Sequence, residues 1–300
     1  MALGYDKPLY VLAFDHRGSF QKKFFGVQGE PNAQETARIA DAKTLIFEGA
    51  LRALDEGVDR TSAGILVDEQ FGADIVRRAK ADGLTFAMPV EKSGQEEFDF
   101  QYGEDFGAHI EEFGPTFSKV LVRYNPDGDR EMNTRQTARL KRLGDWLHEH
   151  GRLFLFELLV PATPEQIAAA GDEETWDSKE RPKLMKTVIE EFQAAGVEPD
   201  IWKIEGIDAR EDCESISAAA RAGGRDGVAC VVLGRGADDA KVDHWLRTGA
   251  GVPGYIGFAI GRSIWWEPLK GFVDGNLGRE EAAKQIAANY RRFIDVYDGG

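Results

Sequence analysis

The sequence predicts a (β/α)8 barrel, the TIM barrel, on three observations. Short apolar runs recur eight times along the 300 residues, each followed by a stretch with helical periodicity. The alternation covers about 250 residues, the usual extent of such a barrel. The runs are continuously apolar rather than alternating, as expected of parallel strands covered on both faces. The competing architecture, a doubly wound open sheet, would bring a glycine-rich dinucleotide loop after its first strand. Asp15-His16-Arg17-Gly18-Ser19 stands there instead. No internal repeat beyond the strand–helix unit is visible, and no linker divides the chain. Residues 1–300 are therefore read as one barrel domain with an extra C-terminal helix.

The elements follow in order. Leu9 to Asp15 is an apolar run ending in an acid, and a long helix runs from Asn32 to Gly57, where glycine is suited to stop it. Ser62 to Asp68 is the second strand, Ala73 to Gly83 a helix, and Leu84 to Pro89 the third strand. Glu91 to Asp105, polar and aromatic, reads as a long loop before a helix that ends at Gly114. After the fourth strand, Phe117 to Tyr124, Asn133 is expected to cap a helix whose Leu140, Leu143 and Leu147 share a face. Leu153 to Val160 is the fifth strand, followed by a loop rich in Pro, Asp and Glu and a helix from about residue 179 to 195. Ile201 to Glu205, Val228 to Leu233 and Tyr255 to Ile260 are the last three strands. Helices over 212–223 and 237–248 separate them, and helices over 263–273 and 279–297 close the chain.

Composition narrows the function. Hydrophobic residues at 42% and charged residues at 30% match a soluble protein with a sizeable core. A formal net charge of -15 argues against nucleic acid and against anionic membrane surfaces as partners, while leaving room for a locally basic site that binds a small anion. Only Cys213 and Cys230 occur, in unrelated contexts, so a reducing cytoplasm is expected. Met1 to Pro8 does not read as a signal peptide, and no apolar run reaches the ~20 residues of a membrane span.

The chemistry centres on Asp200 to Asp208, a short apolar strand with Lys203 in its middle. A buried ammonium is costly unless it is paired or loses its proton, and a neutral amine attacks carbonyls. Lys203 is thus a candidate Schiff-base nucleophile, or else a strand-end lysine reaching Glu205 or solvent. Side chains alternate along a strand. With Lys203 inward, Lys119 shares a face with Leu121 and Arg123, Glu157 with Leu155 and Leu159, and Asp15 with Val11 and Ala13. Singly each is as readily a structural ion pair. Together they read as one mutually compensating cluster in which Lys119 would favour the neutral amine of Lys203, Glu157 would shuttle protons and Asp15 would take a hydroxyl proton.

A second cluster reads as a phosphate site. Gly234-Arg235-Gly236 follows the seventh strand, and Gly257 to Arg262 spans the eighth and opens a helix. The loops after strands seven and eight form the usual phosphate site of these barrels, glycine admitting backbone N–H groups and arginine supplying charge. The alternative is tight turns and surface pairs. The five histidines, including His16, show no metal-ligand spacing, so no metal is expected. Asp68 and Glu69 would bind substrate hydroxyls or cap the next helix, and Trp265-Trp266 reads as core packing.

Leu12 to Phe20 (LAFDHRGSF), Phe117 to Tyr124 (FSKVLVRY), Phe156-Glu157-Leu158 and Trp202-Lys203-Ile204-Glu205 resemble the metal-independent class I aldolases of the tagatose-bisphosphate aldolase type. The sequence is more similar still to the aldolase domain of inositol catabolism that cleaves 2-deoxy-5-keto-gluconate 6-phosphate, with Gly257 to Pro268 (GFAIGRSIWWEP) resembling that domain's end. The resemblance implies cleavage of a phosphorylated keto-sugar to dihydroxyacetone phosphate and malonate semialdehyde, with no cofactor beyond the lysine imine. It implies Lys203 as the Schiff-base residue, Lys119, Glu157 and Asp15 beside it, and Gly261 and Arg262 at the phosphate. Arg17, Arg123, Gly234, Arg235 and Gly236 complete the expected binding set.

In many proteins of that type a sugar kinase domain precedes the aldolase domain, and this sequence includes none. Tagatose bisphosphate or a sulfonated fructose phosphate is accordingly an alternative substrate. A phosphosugar isomerase using Glu157 and Asp15, or a sensor barrel without turnover, are the readings from other classes. Homo-oligomerisation is expected by analogy.

Overall fold

Eight parallel strands close on themselves in sequence order in the computed structural model, which describes residues 3–299. The chain runs β1 (Leu9–Ala13), α1 (Gly18–Phe25), α2 (Ala33–Asp55), β2 (Ala63–Leu66), α3 (Glu69–Ala81) and β3 (Thr85–Pro89). It continues through α4 (Phe106–Phe113), β4 (Phe117–Arg123), α5 (Arg130–Glu149), β5 (Leu153–Leu159), α6 (Pro164–Ala170), α7 (Glu173–Lys179) and α8 (Arg181–Ala194). The last third is β6 (Ile201–Glu205), α9 (Arg210–Arg221), β7 (Ala229–Leu233), α10 (Asp239–Gly249), β8 (Tyr255–Ile260), α11 (Arg262–Val273) and α12 (Arg279–Asp298). The expected (β/α)8 barrel is the fold. No helix among the described residues is long and apolar enough to cross a membrane.

The barrel closes where β1 pairs with β8, Leu9 opposite Gly257 and Leu12 opposite Ile260. A register shift between Cys230 and Val231 disturbs the β7–β8 pairing beside this seam. Gly257 absorbs it at φ +151, with its Cα so close to the Leu9 carbonyl that no Cβ fits.

Strand parity divides the core in two. Leu9, Val11, Phe117, Leu155, Ile201 and Val231 fill the barrel interior. Their sequence neighbours face outward onto the helices: Trp202 stacks near Phe156, with ring centres 4.8 Å apart, and both meet Phe192 of α8. Small residues, Ala13, Ala87 and Ala259, occupy the upper part of the interior and leave room above them for charged side chains.

Helix starts follow local capping chemistry. The Asn32 side chain accepts from the Gln34 and Glu35 amides while Glu35 reaches back, a complete capping box for α2. Asp68 caps α3, and Thr163 with Pro164 and Gln166 starts α6.

Two expectations on helices are corrected, and one further helix is found. Asp129, not Asn133, caps α5; Asn133 lies one turn inside and donates to the Asn125 carbonyl at 2.8 Å. The acid- and proline-rich stretch after β5, expected as loop, holds α6 and α7 ahead of α8. The segment after β1 forms α1, a short helix whose Phe20 and Phe24 pack on Trp265. These helices are short and depend on tertiary contacts rather than on a long periodic pattern.

Candidate active site

The upper interior opens into a cavity of about 840 Å³ lined from all sides of the barrel mouth. Lys203 rises from the centre of β6, where Ile201 and Glu205 share its inward face. Its Nζ lies 3.0 Å from Oε2 of Glu157 on the neighbouring β5. Lys119, inward on β4, reaches the same oxygen at 3.0 Å, Asp15 Oδ2 at 2.9 Å and Glu91 Oε1 at 3.0 Å. All five groups are largely or fully buried, so each charge depends on the others for compensation.

Burial would raise the Asp15 pKa, but the Lys119 ammonium, with help from His16 and Lys203, holds the carboxyl well below the usual range. Burial likewise opposes ionisation of Glu157, and Lys119 and Lys203 together bring it below its ordinary value. Lys119, against its own burial, is pushed well above the ordinary lysine range by Asp15, Glu157 and Glu91. Glu91 goes the other way: burial raises it despite Lys119 and Arg17. The cluster thus gathers three carboxyl groups around two lysine nitrogens, and Glu91 is the acid that protonates most readily.

The four residues grouped by strand parity therefore meet around one point. Glu91 was not anticipated, because the segment after β3 reads as loop. Its signal was present, since Ala87, Pro89 and Glu91 continue the inward parity of β3. His16 also lines the cavity, its ring 5.6 Å from that of Trp265 and its Nδ1 buried with no partner among the described residues. Burial holds its imidazole down to about 4, Asp15 opposing and Lys43 and Arg262 adding to the effect. Its ring is therefore neutral at pH 7. It escaped the sequence reading because histidines were weighed only as metal ligands.

The basic residues divide by what they bond. Arg17 is buried and donates from Nη2 to the Glu91 carbonyl at 2.7 Å. Arg123 donates to the Gln95 carbonyl at 2.9 Å, so both hold the segment after β3 against the barrel mouth. Arg235, expected at a phosphate, is turned toward Asp177 of α7 at 2.7 Å and Glu205 at 3.2 Å. Arg262 makes no ion pair among the described residues. It donates from Nη2 to the Arg235 carbonyl at 2.7 Å and lies against Gly236, where any Cβ would strike its guanidinium. Gly234, Gly236, Gly261 and Arg262 surround the start of α11 at the cavity wall, and an exposed helix N-terminus with free N–H groups suits an anion. Trp265, expected as core, is buried and also borders the cavity, donating from Nε1 to the Ala13 carbonyl at 2.9 Å.

A parallel barrel with ionisable side chains gathered at the carboxyl ends of its strands defines the class of protein: a TIM barrel with its polar site where barrels of this fold carry chemistry. The chain belongs to the family described as "Uncharacterized protein conserved in bacteria (DUF2090)", whose profile matches residues 4–299. It is also 28% identical over 201 residues to the tagatose 1,6-diphosphate aldolase of Listeria monocytogenes, covering 65% of this chain and 54% of that one. The tagatose 1,6-diphosphate aldolase 2 of Streptococcus pyogenes is 26% identical over 164 residues, 53% of this chain and 46% of its own. The chain thus spans about half the length of the curated relatives it matches.

Among solved structures, the fructose-bisphosphate aldolase of Slackia heliotrinireducens superposes with a TM-score of 0.56 at 16% identity, over 97% of this chain and 86% of that one. An archaeal fructose 1,6-bisphosphate aldolase gives a TM-score of 0.58 at 14% identity, over 98% and 94%. At those identities the likeness carries the fold.

Proposed function

We propose that the chain is a class I aldolase, cleaving a phosphorylated keto-sugar through an imine on Lys203. The observation that carries this is the placement of a buried lysine at the floor of a polar cavity, 3.0 Å from a carboxylate that a second lysine shares. The names of the relatives in Listeria and Streptococcus support the same reading.

The residues divide the work as follows. Attack requires a neutral amine, and Glu157 Oε2, 3.0 Å away, takes the proton Lys203 sheds. Nitrogen then bonds to the substrate's carbonyl carbon, and the resulting hydroxyl leaves as water with a proton returned through Glu157. Asp15, kept as carboxylate by Lys119, removes the proton of the hydroxyl β to the iminium. The bond between the α and β carbons breaks, the aldehyde departs, and its electron pair is held as the enamine of Lys203. Protonation of the α carbon and hydrolysis by water release the ketone and free the lysine. Arg262 and the start of α11 hold the phosphate. No step needs a metal or a cofactor.

The substrate proposed is of the 2-deoxy-5-keto-gluconate 6-phosphate type, giving dihydroxyacetone phosphate and malonate semialdehyde. A second reading, tagatose bisphosphate, is favoured by the names of the two relatives. Borohydride reduction in the presence of dihydroxyacetone phosphate, followed by peptide mass spectrometry, tests the mechanism. A stable adduct on Lys203 that is lost in Lys203→Ala is expected. Absence of any adduct on folded protein that binds the ligand would overturn the aldolase in favour of an acid–base isomerase.

A further inference from the structure

Behind the cavity a lysine and an aspartate are paired where no solvent reaches. Lys43 projects inward from α2, Asp68 follows β2, and both side chains are fully buried. Desolvating two charges offsets most of what their attraction returns, and an apolar pair of similar volume is often as stable. Stability alone is thus a poor reason for this pair, and its other contacts are more informative.

Lys43 Nζ bonds Asp68 Oδ2 and, at 2.8 Å, the carbonyl oxygen of Phe14. The second Asp68 oxygen accepts from the Phe71 amide at 2.9 Å, so the acid caps α3 rather than facing substrate. The rings of Phe20 and Phe71 lie 5.4 and 5.8 Å from the ammonium. Phe14 is the first residue past the end of β1 and the last before Asp15. Its N–H is held by the Leu66 carbonyl at 2.7 Å, and the Ala13 carbonyl by Trp265. Lys43 holds the Phe14 carbonyl of that turn. Asp15, which bonds Lys119, and Arg17, which bonds the Glu91 carbonyl, follow directly.

We propose that Lys43, held by Asp68, is a positioning residue: by anchoring the Phe14 carbonyl it sets the Asp15 carboxylate against Lys119. The inference rests on the aldolase reading of the site. It separates two stages of the reaction, since imine formation at Lys203 does not use Asp15 whereas carbon–carbon cleavage does.

The test is the double variant Lys43→Met/Asp68→Leu, which replaces the ions by an apolar pair. Its melting temperature is expected to fall by no more than the few degrees that the lost α3 cap costs, and borohydride is expected to trap dihydroxyacetone phosphate on Lys203 as before. The kcat for cleavage of the keto-sugar phosphate is expected to fall about 100-fold, with KM little changed, as for a misplacement of about 1 Å. Asp68→Asn, nearly isosteric and still able to cap α3, carries the same comparison if the double variant does not fold. Unchanged kcat in a folded variant would overturn the proposal. So would a parallel loss of trapping, turnover and melting temperature, the mark of a merely structural role. If the unaltered protein neither traps the ketone nor cleaves a sugar phosphate, the aldolase reading is what fails. A crystal structure of the variant then decides: an Asp15 carboxylate displaced from Lys119 is expected, and one left in place overturns the proposal.

Discussion

Lys119 and Lys203, on β4 and β6, meet on a single atom, Oε2 of Glu157 on the strand between them. Two buried cations on one carboxylate oxygen would repel were the site not supplied with Asp15 and Glu91 on its Lys119 side. The two lysines differ in their partners. Lys119 has three acids, which push its pKa well above the ordinary lysine range, while Lys203 pairs with Glu157 alone, and on the proposed mechanism Lys203 is the one that reacts.

Glu157→Gln tests that division. It replaces the carboxylate both lysines share by a neutral amide and leaves buried charge less compensated, a change that costs about 3–5 kcal/mol when a buried pair is broken. Turnover is expected to fall about 10²–10⁴-fold, the usual contribution of a positioned acid–base group. Trapping by borohydride is expected to slow as well, because the proton of Lys203 loses its acceptor. Trapping at the unaltered rate with only cleavage impaired would move Glu157 out of the imine-forming step.

The depressed Asp15 carboxyl makes stability depend on pH with a definite sign. Between its folded value and the ordinary aspartate value of about 3.9, the folded state binds fewer protons than the unfolded one, so stability rises with pH there. The contribution is complete above the ordinary value and is lost as acid titrates the folded carboxyl; Glu157 acts in the same direction. Lys119, raised, keeps its contribution through neutral pH and loses it only above the usual lysine range. Thermal melts of the unaltered protein and Asp15→Asn are therefore expected to converge as pH falls from about 5 toward 2. A constant gap across that window would contradict the assignment.

Glu91 carries the opposite sign. Burial raises its carboxyl, so the folded state is penalised wherever the group is ionised and relieved as it protonates. Its Oε2 is buried with no hydrogen-bond partner among the described residues. Glu91→Gln, which resembles the protonated acid, is expected to raise the melting temperature at pH 8. That advantage is expected to shrink as pH falls through the folded Glu91 value. Melts that separate more in acid would show that the charged form is the stabilised one.

Parity was enough to bring the charged residues of the candidate site together from sequence, because a barrel strand leaves only one face for a buried charge. Lys203, Lys119, Glu157 and Asp15 were legible for that reason, and Glu91 would have been had the inward series of β3 been extended past Pro89. What stayed hidden lies between elements. The partner of Arg235 is Asp177, 58 residues away on a helix that reads as loop, so the arginine looked free for phosphate. Lys43 is one polar residue on a long amphipathic helix, and only the folded chain shows that it ends at the Phe14 carbonyl.

Gly236 and Arg262 give the last test, directed at the anion end of the cavity. Gly236 has φ +74, where a residue with a side chain is strained by about 1–2 kcal/mol. A methyl group there would also meet the Arg262 guanidinium, which must then leave the Arg235 carbonyl. On the proposed phosphate contact, made alike in ground and transition states, Gly236→Ala is expected to raise KM about tenfold or more, the worth of one hydrogen bond to a charged group, with kcat held. Arg262→Ala is expected to raise KM in the same way. Because the first change acts by displacing the group the second removes, the double variant is expected to bind little worse than Arg262→Ala alone. Full additivity would show that Gly236 supports the phosphate through its own backbone rather than by making room for the arginine.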